Sequence, residues 1–261
     1  MTDKRALVTG AGARLGQAMA IYLAGRGYDV AVHYAGSEAG AAETVAACEA
    51  QGARAVALQA DLLEEDALQT LVPRAAEALG GPLTLLINNA SIFEYDRLDT
   101  ATPEKWDRHI GSNLRAPFFL TQAFAAQAPD HAHCDAGEPL ATGLVVNMLD
   151  QRVLKPTPEF MTYSIAKMGL WAFTRSAAQG LAPAIRVNAI APGPTLIGAR
   201  QSETHFTKQR ANTVLQRGAD PDDIVAALGY LLDAKAVTGQ LIAVDGGQHL
   251  GWKTPDILGF E

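Results

Sequence analysis

Three side chains in the second half of the chain carry groups that could move a proton. Tyr163 and Lys167 stand four residues apart in Tyr163-Ser-Ile-Ala-Lys167, so on a helix they share one face, one turn from each other. An ammonium held beside a phenol favours the phenolate, which would let Tyr163 exchange a proton nearer neutrality than its ordinary pKa of about 10 allows. A tyrosine so placed is a candidate general acid for reducing a polarised double bond. Asp150, thirteen residues before Tyr163, adds a carboxyl group. Alone, Tyr-x3-Lys also suits a solvated helix face, and its meaning depends on the rest of the chain.

A second chemistry is legible near the N-terminus. Thr9-Gly-Ala-Gly-Ala-Arg-Leu-Gly16 joins an apolar run over 6–9 to an amphipathic segment over 15–23, where Leu15, Ala18, Met19, Tyr22 and Leu23 share a face. Glycines permit a tight turn and close backbone approach to a pyrophosphate, which the free N–H groups and dipole of a helix N-terminus attract. Strand, glycine turn and helix in that order predict a dinucleotide site that includes Gly10, Leu15 and Gly16. Arg14 puts a cation at the helix start, where it can meet phosphate or an anionic substrate. After a second predicted strand at 29–34, the place of an acid that would hold an adenosine ribose 2′-hydroxyl is taken by His33-Tyr-Ala-Gly-Ser37. Without the acid there is room for a 2′-phosphate, with Ser37 and His33 as donors, and NADP(H) is expected in preference to NAD(H). Asp61, after the third strand, can accept from the adenine amino group or cap the helix that follows.

The elements that must position these groups alternate. Strands are predicted at 53–59, 83–87, 143–148, 185–190 and 241–244, and helices at 39–50, 106–127, 162–180 and 221–232. A further helix carries the stripe Leu68, Leu71, Val72, Ala75, Ala76 and Leu79. Pro117 should bend the 106–127 helix or sit near a break in it. Strand–helix alternation predicts an α/β fold of one domain over 1–261, a Rossmann-type doubly wound parallel sheet with helices on both faces. Two segments stand outside the pattern: 128–142 reads as a surface insertion, and 193–216 follows a strand end and could close over a ligand.

Bulk properties narrow the function. Apolar residues make up 48% of the 261 residues, charged residues 19%, and the formal net charge is −7, which gives no basic face for nucleic acid. Cys48 and Cys134 fit neither a disulfide framework nor a metal cluster, and His109, His131, His133, His205 and His249 share no metal spacing. No apolar run approaches the roughly 20 residues of a membrane span. Met1-Thr-Asp-Lys-Arg5 leads into a strand without a signal-peptide core. A cytoplasmic protein with no metal and no membrane partner is the expectation.

Together these motifs resemble the short-chain dehydrogenase/reductase family over almost the whole chain. They are the glycine turn (with Arg14 in place of the usual middle glycine), Asn88-Asn89-Ala90, Asn113, the Tyr163/Lys167 pair, Pro192-Gly193 with Thr195, and Asp245-Gly246-Gly247. The resemblance implies hydride transfer from nicotinamide to substrate with Tyr163 donating the proton. Lys167 would lower the Tyr163 pKa and hold the nicotinamide ribose, and Asn113 would link Lys167 to solvent through water. The implied cofactor surface also takes in Tyr34, Leu62, Asn89, Ala90 and Ser91, with Pro192, Gly193 and Thr195 beside the nicotinamide. A homotetramer built through two long helices and the C-terminal strand region is implied as well.

Asp150 replaces the family's usual serine, whose hydroxyl bonds a substrate carbonyl. An ionised carboxylate there would repel a developing oxyanion, whereas a carboxyl group suits a nitrogen heterocycle. With Arg14, Ser91 and Phe93, Asp150 makes the chain resemble the pteridine reductase branch, in which the phenylalanine stacks on the pterin. The implied substrate contacts are therefore Arg14, Ser91, Phe93, Asp150 and Tyr163, although Ala13 and Gly36 stand where that branch has basic residues. The alternatives are a carbonyl or 3-oxoacyl reductase and, from another class, a non-catalytic NADP(H)-binding sensor.

Overall fold

The computed structural model of the protein describes residues 4–198 and 201–254. In chain order the elements of the first half are β1 Arg5–Val8, α1 Arg14–Gly25, β2 Asp29–Tyr34, α2 Glu38–Glu49, β3 Ala55–Gln59, α3 Glu65–Leu79, β4 Leu85–Asn88, α4 Pro103–Ile110 and α5 Ala116–Gln127. A two-stranded antiparallel hairpin follows, β5 Ala132–His133 with β6 Pro139–Leu140. The rest comprises β7 Gly143–Met148, α6 Met161–Gly180, β8 Ile185–Pro192, α7 Glu203–Ala211, α8 Pro221–Asp233 and β9 Leu241–Val244.

Seven strands form one parallel sheet in the order β3-β2-β1-β4-β7-β8-β9. Successive side chains of a strand point to opposite faces, and both faces here are covered. Ala6 and Val8 join Val30, Val32, Leu85 and Ile87 beneath α1, α2 and α8. Leu7 joins Ala31, Leu86, Val145 and Val187 beneath α3, α5 and α6. This is why the strands read as unbroken apolar runs. The chain reverses direction across the sheet between β1 and β4, and the crevice outside their carboxyl ends is where a ligand fits such a sheet.

Two local devices aim the site. Thr102 caps α4 by accepting from the Lys105 N–H at 3.3 Å, with Pro103 in the first turn where its missing N–H is harmless. The predicted 106–127 helix starts earlier and is interrupted by a π turn at Gly111–Arg115, whose widened ladder pairs the Ala116 N–H with the Gly111 carbonyl. Pro117 follows at once and has no N–H to offer the Asn113 carbonyl. The turn thus displaces Asn113 from a regular helix path and directs its side chain at the loop after β4.

Candidate active site

The glycine turn is laced to β4 through two side chains. Thr9 Oγ1 accepts the N–H groups of Asn89 and Ala90, each at 2.9 Å, and Asn89 Nδ2 donates to the carbonyls of Thr9 (2.8 Å) and Gly10 (3.2 Å). Gly10 adopts φ +63°, and a Cβ on Gly16 would fall 2.2 Å from the Gly10 carbonyl oxygen. The first amides of α1 have no partner inside the helix. The result is a backbone cradle suited to pyrophosphate, with Leu15 half-buried behind it. The exposed Arg14 guanidinium donates to the carbonyls of Ile197 (2.7 Å) and Leu196 (3.1 Å), fastening the segment after β8 over the turn.

The adenosine side requires one correction. His33 cannot donate to a 2′-phosphate, because both ring nitrogens are used inside the protein. Nδ1 accepts from the Gly10 N–H at 3.0 Å and Nε2 lies 3.0 Å from the Ala60 carbonyl. Burial, helped by the Arg74 cation, lowers its pKa to about 4 against the opposing pull of the Ala60 carbonyl and Asp61. Ser37 is exposed immediately before α2, its hydroxyl 3.3 Å from the Gly12 carbonyl, and Tyr34 ends β2 half-buried. Asp61 does not cap α3: Oδ1 accepts from the Leu63 N–H at 3.0 Å, and Glu64 occupies the cap position. Leu62 is buried beside it.

Helix α6 brings Tyr163 and Lys167 onto one face, both buried. Asp150, half-buried beyond the end of β7, accepts the Arg152 N–H at Oδ1 (2.9 Å) and the Tyr163 O–H at Oδ2 (3.1 Å). Burial raises the Asp150 pKa, opposed by the Arg152 N–H and charge, the Tyr163 hydrogen bond and Lys167. The expected lowering of Tyr163 is overturned. Burial and then the adjoining Asp150 charge push the phenol well above its ordinary value, outweighing Arg152 and the Ser91 hydroxyl. Lys167 Nζ donates to the Met148 carbonyl at 2.7 Å and lies 5.7 Å from the phenol ring centre. Burial lowers the Lys167 pKa to about 8, while Asp150 acts to raise it.

The remaining residues of the crevice divide between contact and support. Asn113 spends its side-chain amide on one residue, with Oδ1 accepting from the Ile92 N–H (3.2 Å) and Nδ2 donating to the Ile92 carbonyl (2.9 Å). Phe93, two residues after Ser91, is 45% exposed and meets the Tyr163 ring edge-on at 4.7 Å. Opposite, the Gly193 N–H donates to the Val244 carbonyl at 3.0 Å, and a Cβ on Gly193 would lie 2.5 Å from Asp245 Cβ. Pro192 ends β8, and the buried Thr195 hydroxyl donates to the Gly193 carbonyl at 3.1 Å, so its oxygen is turned to accept. Among the described residues, no group of three or more His, Cys, Asp or Glu side chains could hold a metal ion.

Sequence reading missed a buried relay behind Tyr163. The Glu94 N–H donates to His109 Nε2 at 3.1 Å, so the ring hydrogen is on Nδ1, which donates to Thr162 Oγ1 at 2.7 Å. The Thr162 hydroxyl in turn donates to Asp96 Oδ2, and the Thr162 N–H to Oδ1. Asp96, His109 and Thr162 are all buried. They tie the loop bearing Ser91 and Phe93 to α4 and to the start of α6. Phe160, in the left-handed conformation (φ +54°), stacks on Phe93 at 4.3 Å and 10°, with Arg152 over its ring at 4.8 Å. Spacing marks neither feature; only Thr162, adjacent to Tyr163, offered a hint.

These features define a class: the chain belongs to the short-chain dehydrogenase/reductase family and is an oxidoreductase. The family model described as enoyl-(acyl carrier protein) reductase matches residues 10–249. Two curated relatives span nearly its whole length. The 3beta-hydroxysteroid dehydrogenase 1 of Eggerthella lenta is 34% identical over 96% of this chain and 95% of its own. The 3-oxoacyl-[acyl-carrier-protein] reductase FabG of Staphylococcus aureus is 31% identical over 95% and 98%. Among solved structures, FolM alternative dihydrofolate reductase 1 from Brucella canis complexed with NADP superposes with a TM-score of 0.89 at 39% identity, covering 97% of both chains. Its counterpart from Brucella suis, also with NADP, gives 0.89 at 40% identity over 97% of this chain and 98% of that one.

The relay yields a stability test. Thr162→Val keeps shape and the backbone N–H bond to Asp96 Oδ1 but leaves the His109 Nδ1–H without its acceptor and Asp96 Oδ2 without its Thr162 donor, and an unpaired buried polar group costs about 1–3 kcal/mol. Thermal unfolding should move down by several degrees (for a chain of this size, about 2–4 °C per kcal/mol). Thr162→Ser should melt near the wild type, and a wild-type melt for Thr162→Val would refute the pairing.

Proposed function

We propose that the protein is an NADPH-dependent reductase of dihydropterin-like heterocycles. The observation that carries this reading is the Asp150 carboxyl, anchored by the Arg152 N–H and aimed through Oδ2 at the Tyr163 phenol beside Phe93. The two NADP-bound structures similar to this chain support the cofactor and, through the name dihydrofolate reductase, the substrate class. The cradle supports it too, since the turn and the α1 N-terminus pack too closely for side chains, with a Cβ on Gly10 3.0 Å from Ala90 Cα and one on Gly16 2.2 Å from the Gly10 carbonyl oxygen, which leaves backbone amides to face a pyrophosphate. NADPH, when bound, supplies the hydride. The turn and the α1 N-terminus would hold its pyrophosphate, Ser37 its 2′-phosphate, Asp61 and Leu62 its adenine, and Tyr163 with Lys167 its nicotinamide ribose. Ala90, Ser91, Pro192, Gly193 and Thr195 would flank the nicotinamide.

The chain's own groups then manage the protons. Desolvation makes both Asp150 and Tyr163 hold protons more tightly than usual. A neutral carboxyl can give a proton to a ring nitrogen or, through Oδ2, replace one that Tyr163 has donated. The Lys167 ammonium would stabilise the transient phenolate. When ionised, the same carboxylate accepts a ring or amino N–H, which a pterin provides and a simple ketone lacks. Phe93 offers a flat face for such a ring. Asn113 would act through Ile92, with any water link to Lys167 running through its backbone.

The identity to FabG supports a second reading, 3-oxoacyl reduction with Asp150 in place of a carbonyl-binding hydroxyl. Steady-state rates with dihydrobiopterin or dihydromonapterin against an acetoacetyl thioester separate the two; thioester turnover without pterin turnover sinks the first. The outward apolar side chains Phe118, Ile165 and Met168 on α5 and α6 support a homotetramer. No helix among the described residues is long and apolar enough to cross a membrane, and we assign the protein to the cytoplasm.

Tyr163→Phe should still bind NADPH but lose about 10²–10⁴-fold in turnover; retained turnover would remove Tyr163 from the chemistry. Because the ammonium of Lys167 is lost above about pH 8, the rate should fall on the alkaline side of that value. Asp150→Asn removes the charge that raises the Lys167 pKa, so in this variant the alkaline limb should move to lower pH while pterin turnover drops. An alkaline limb that stays in place or moves upward would contradict the coupling.

A further inference from the structure

Every buried backbone N–H needs an acceptor, and two consecutive amides of the glycine turn find theirs in a single residue. The His33 imidazole is 1% exposed, on β2, with the glycine turn on one side of it and the end of β3 on the other. Nδ1 accepts from the Gly10 N–H at 3.0 Å, so the ring hydrogen is on Nε2, which then donates to the Ala60 carbonyl at 3.0 Å. The His33 carbonyl accepts the Ala11 N–H at 2.8 Å. On the β4 side Asn89 holds the carbonyls of Thr9 and Gly10. The peptide planes on either side of Gly10 are thus fixed from both flanks, the Gly10 and Ala11 N–H groups toward β2 and the Thr9 and Gly10 carbonyls toward the loop after β4. What remains unspent is the set of amides at the start of α1.

We infer that His33 is a positioning residue for the cofactor's pyrophosphate. Its neutral imidazole, hydrogen on Nε2, holds the Gly10 amide and so aims the first amides of α1 at the phosphates without touching the cofactor. The inference rests on the NADP(H) reading for the identity of the ligand, not for the clamp itself. An imidazolium would turn a second donor against the Gly10 N–H and undo the clamp. The charged groups acting on the ring are Arg74, from α3, and Asp61, after β3, and they oppose each other; burial decides in favour of the neutral ring.

The test uses the full chain and three measurements. His33→Phe keeps a planar ring of similar size but offers no acceptor, whereas the His33→Asn amide oxygen stands where Nδ1 stood and can accept from Gly10. In fluorescence titrations His33→Phe should bind NADPH about ten-fold or more weakly, the scale of one lost hydrogen bond, with His33→Asn recovering most of the loss. Binding of 2′-AMP, which carries the 2′-phosphate but no pyrophosphate, should stay within about two-fold of wild type in both variants. A two-bond ¹H–¹⁵N spectrum of the wild type should show Nδ1 bare and Nε2 protonated, unchanged between about pH 8 and 5.5, above the pKa of about 4. Unchanged NADPH binding in His33→Phe, equal loss of NADPH and 2′-AMP, or a protonated Nδ1 would each overturn the inference. If His33→Phe does not fold, His33→Asn decides alone: near-wild-type NADPH binding upholds the clamp and a ten-fold loss overturns it. A wild type that binds NADH but not NADPH refutes the cofactor reading, and the same comparison with NADH and adenosine, which carries no phosphate, still decides the role of His33.

Discussion

The 3.1 Å contact between the Asp150 carboxyl and the Tyr163 phenol sets the electrostatics of the whole crevice. Two acids that both resist ionisation share one small volume, and the buried Lys167 ammonium beside them is held by a backbone carbonyl. In the usual arrangement of such sites a hydroxyl stands beside the tyrosine and leaves the lysine free to dominate. Here the carboxyl adds negative charge on the phenol, and the lysine's influence is outweighed. Any substrate that approaches must therefore satisfy a carboxyl as well as a phenol. That condition favours ligands rich in ring and amino N–H groups over ligands that bring only a carbonyl oxygen.

Such a pair has consequences only if it is held still. Asp150 is fixed by the turn that begins at Gln151, and Tyr163 by the first turns of α6. The start of α6 is in turn tied through Thr162 to Asp96 and His109, and the Phe160 N–H donates to the Asp96 carbonyl at 2.8 Å. Asp96 belongs to the same loop as Phe93, so the ring that would stack on a substrate and the phenol that would protonate it share one buried anchor. The left-handed backbone of Phe160 is uncommon for a bulky residue, and its position between this anchor and the Phe93 stack accounts for where the strain sits.

Much of this architecture was legible in the chain because it rests on local patterns. The apolar runs at 83–87 and 143–148 can only be strands covered on both faces, and Pro117 marked the interruption that became the π turn. Tyr163 and Lys167 share a face by helical period alone. What escaped depends on contacts between distant segments. His33 looked like a phosphate donor because it stands near the end of a strand, yet the register of β2 against β1 and β3 turns its ring inward. Arg14 was legible as the residue that opens a helix, but the carbonyls that the segment after β8 brings within its reach were not. The direction of the Tyr163 shift escaped for a related reason: a sequence states which charges exist, whereas burial and distance decide which one prevails.

These contacts share a physical logic. In this crevice side chains that look like ligands are spent on backbone, and backbone is left to face the ligand. The His33 ring takes the Gly10 N–H and the Ala60 carbonyl, Asn89 takes two carbonyls, Asn113 takes both polar atoms of Ile92, and Arg14 takes two carbonyls of the segment after β8. Each such bond removes one way for a loop to relax, so the unspent amides at the start of α1 keep their direction. A pyrophosphate with several oxygens could be held by such preorganised amides with few cations. The same economy leaves Asp150, Tyr163, Lys167 and Phe93 as the groups that would have to discriminate among substrates. Substrate choice would therefore rest on how a bound molecule meets one carboxyl, one phenol and one aromatic face.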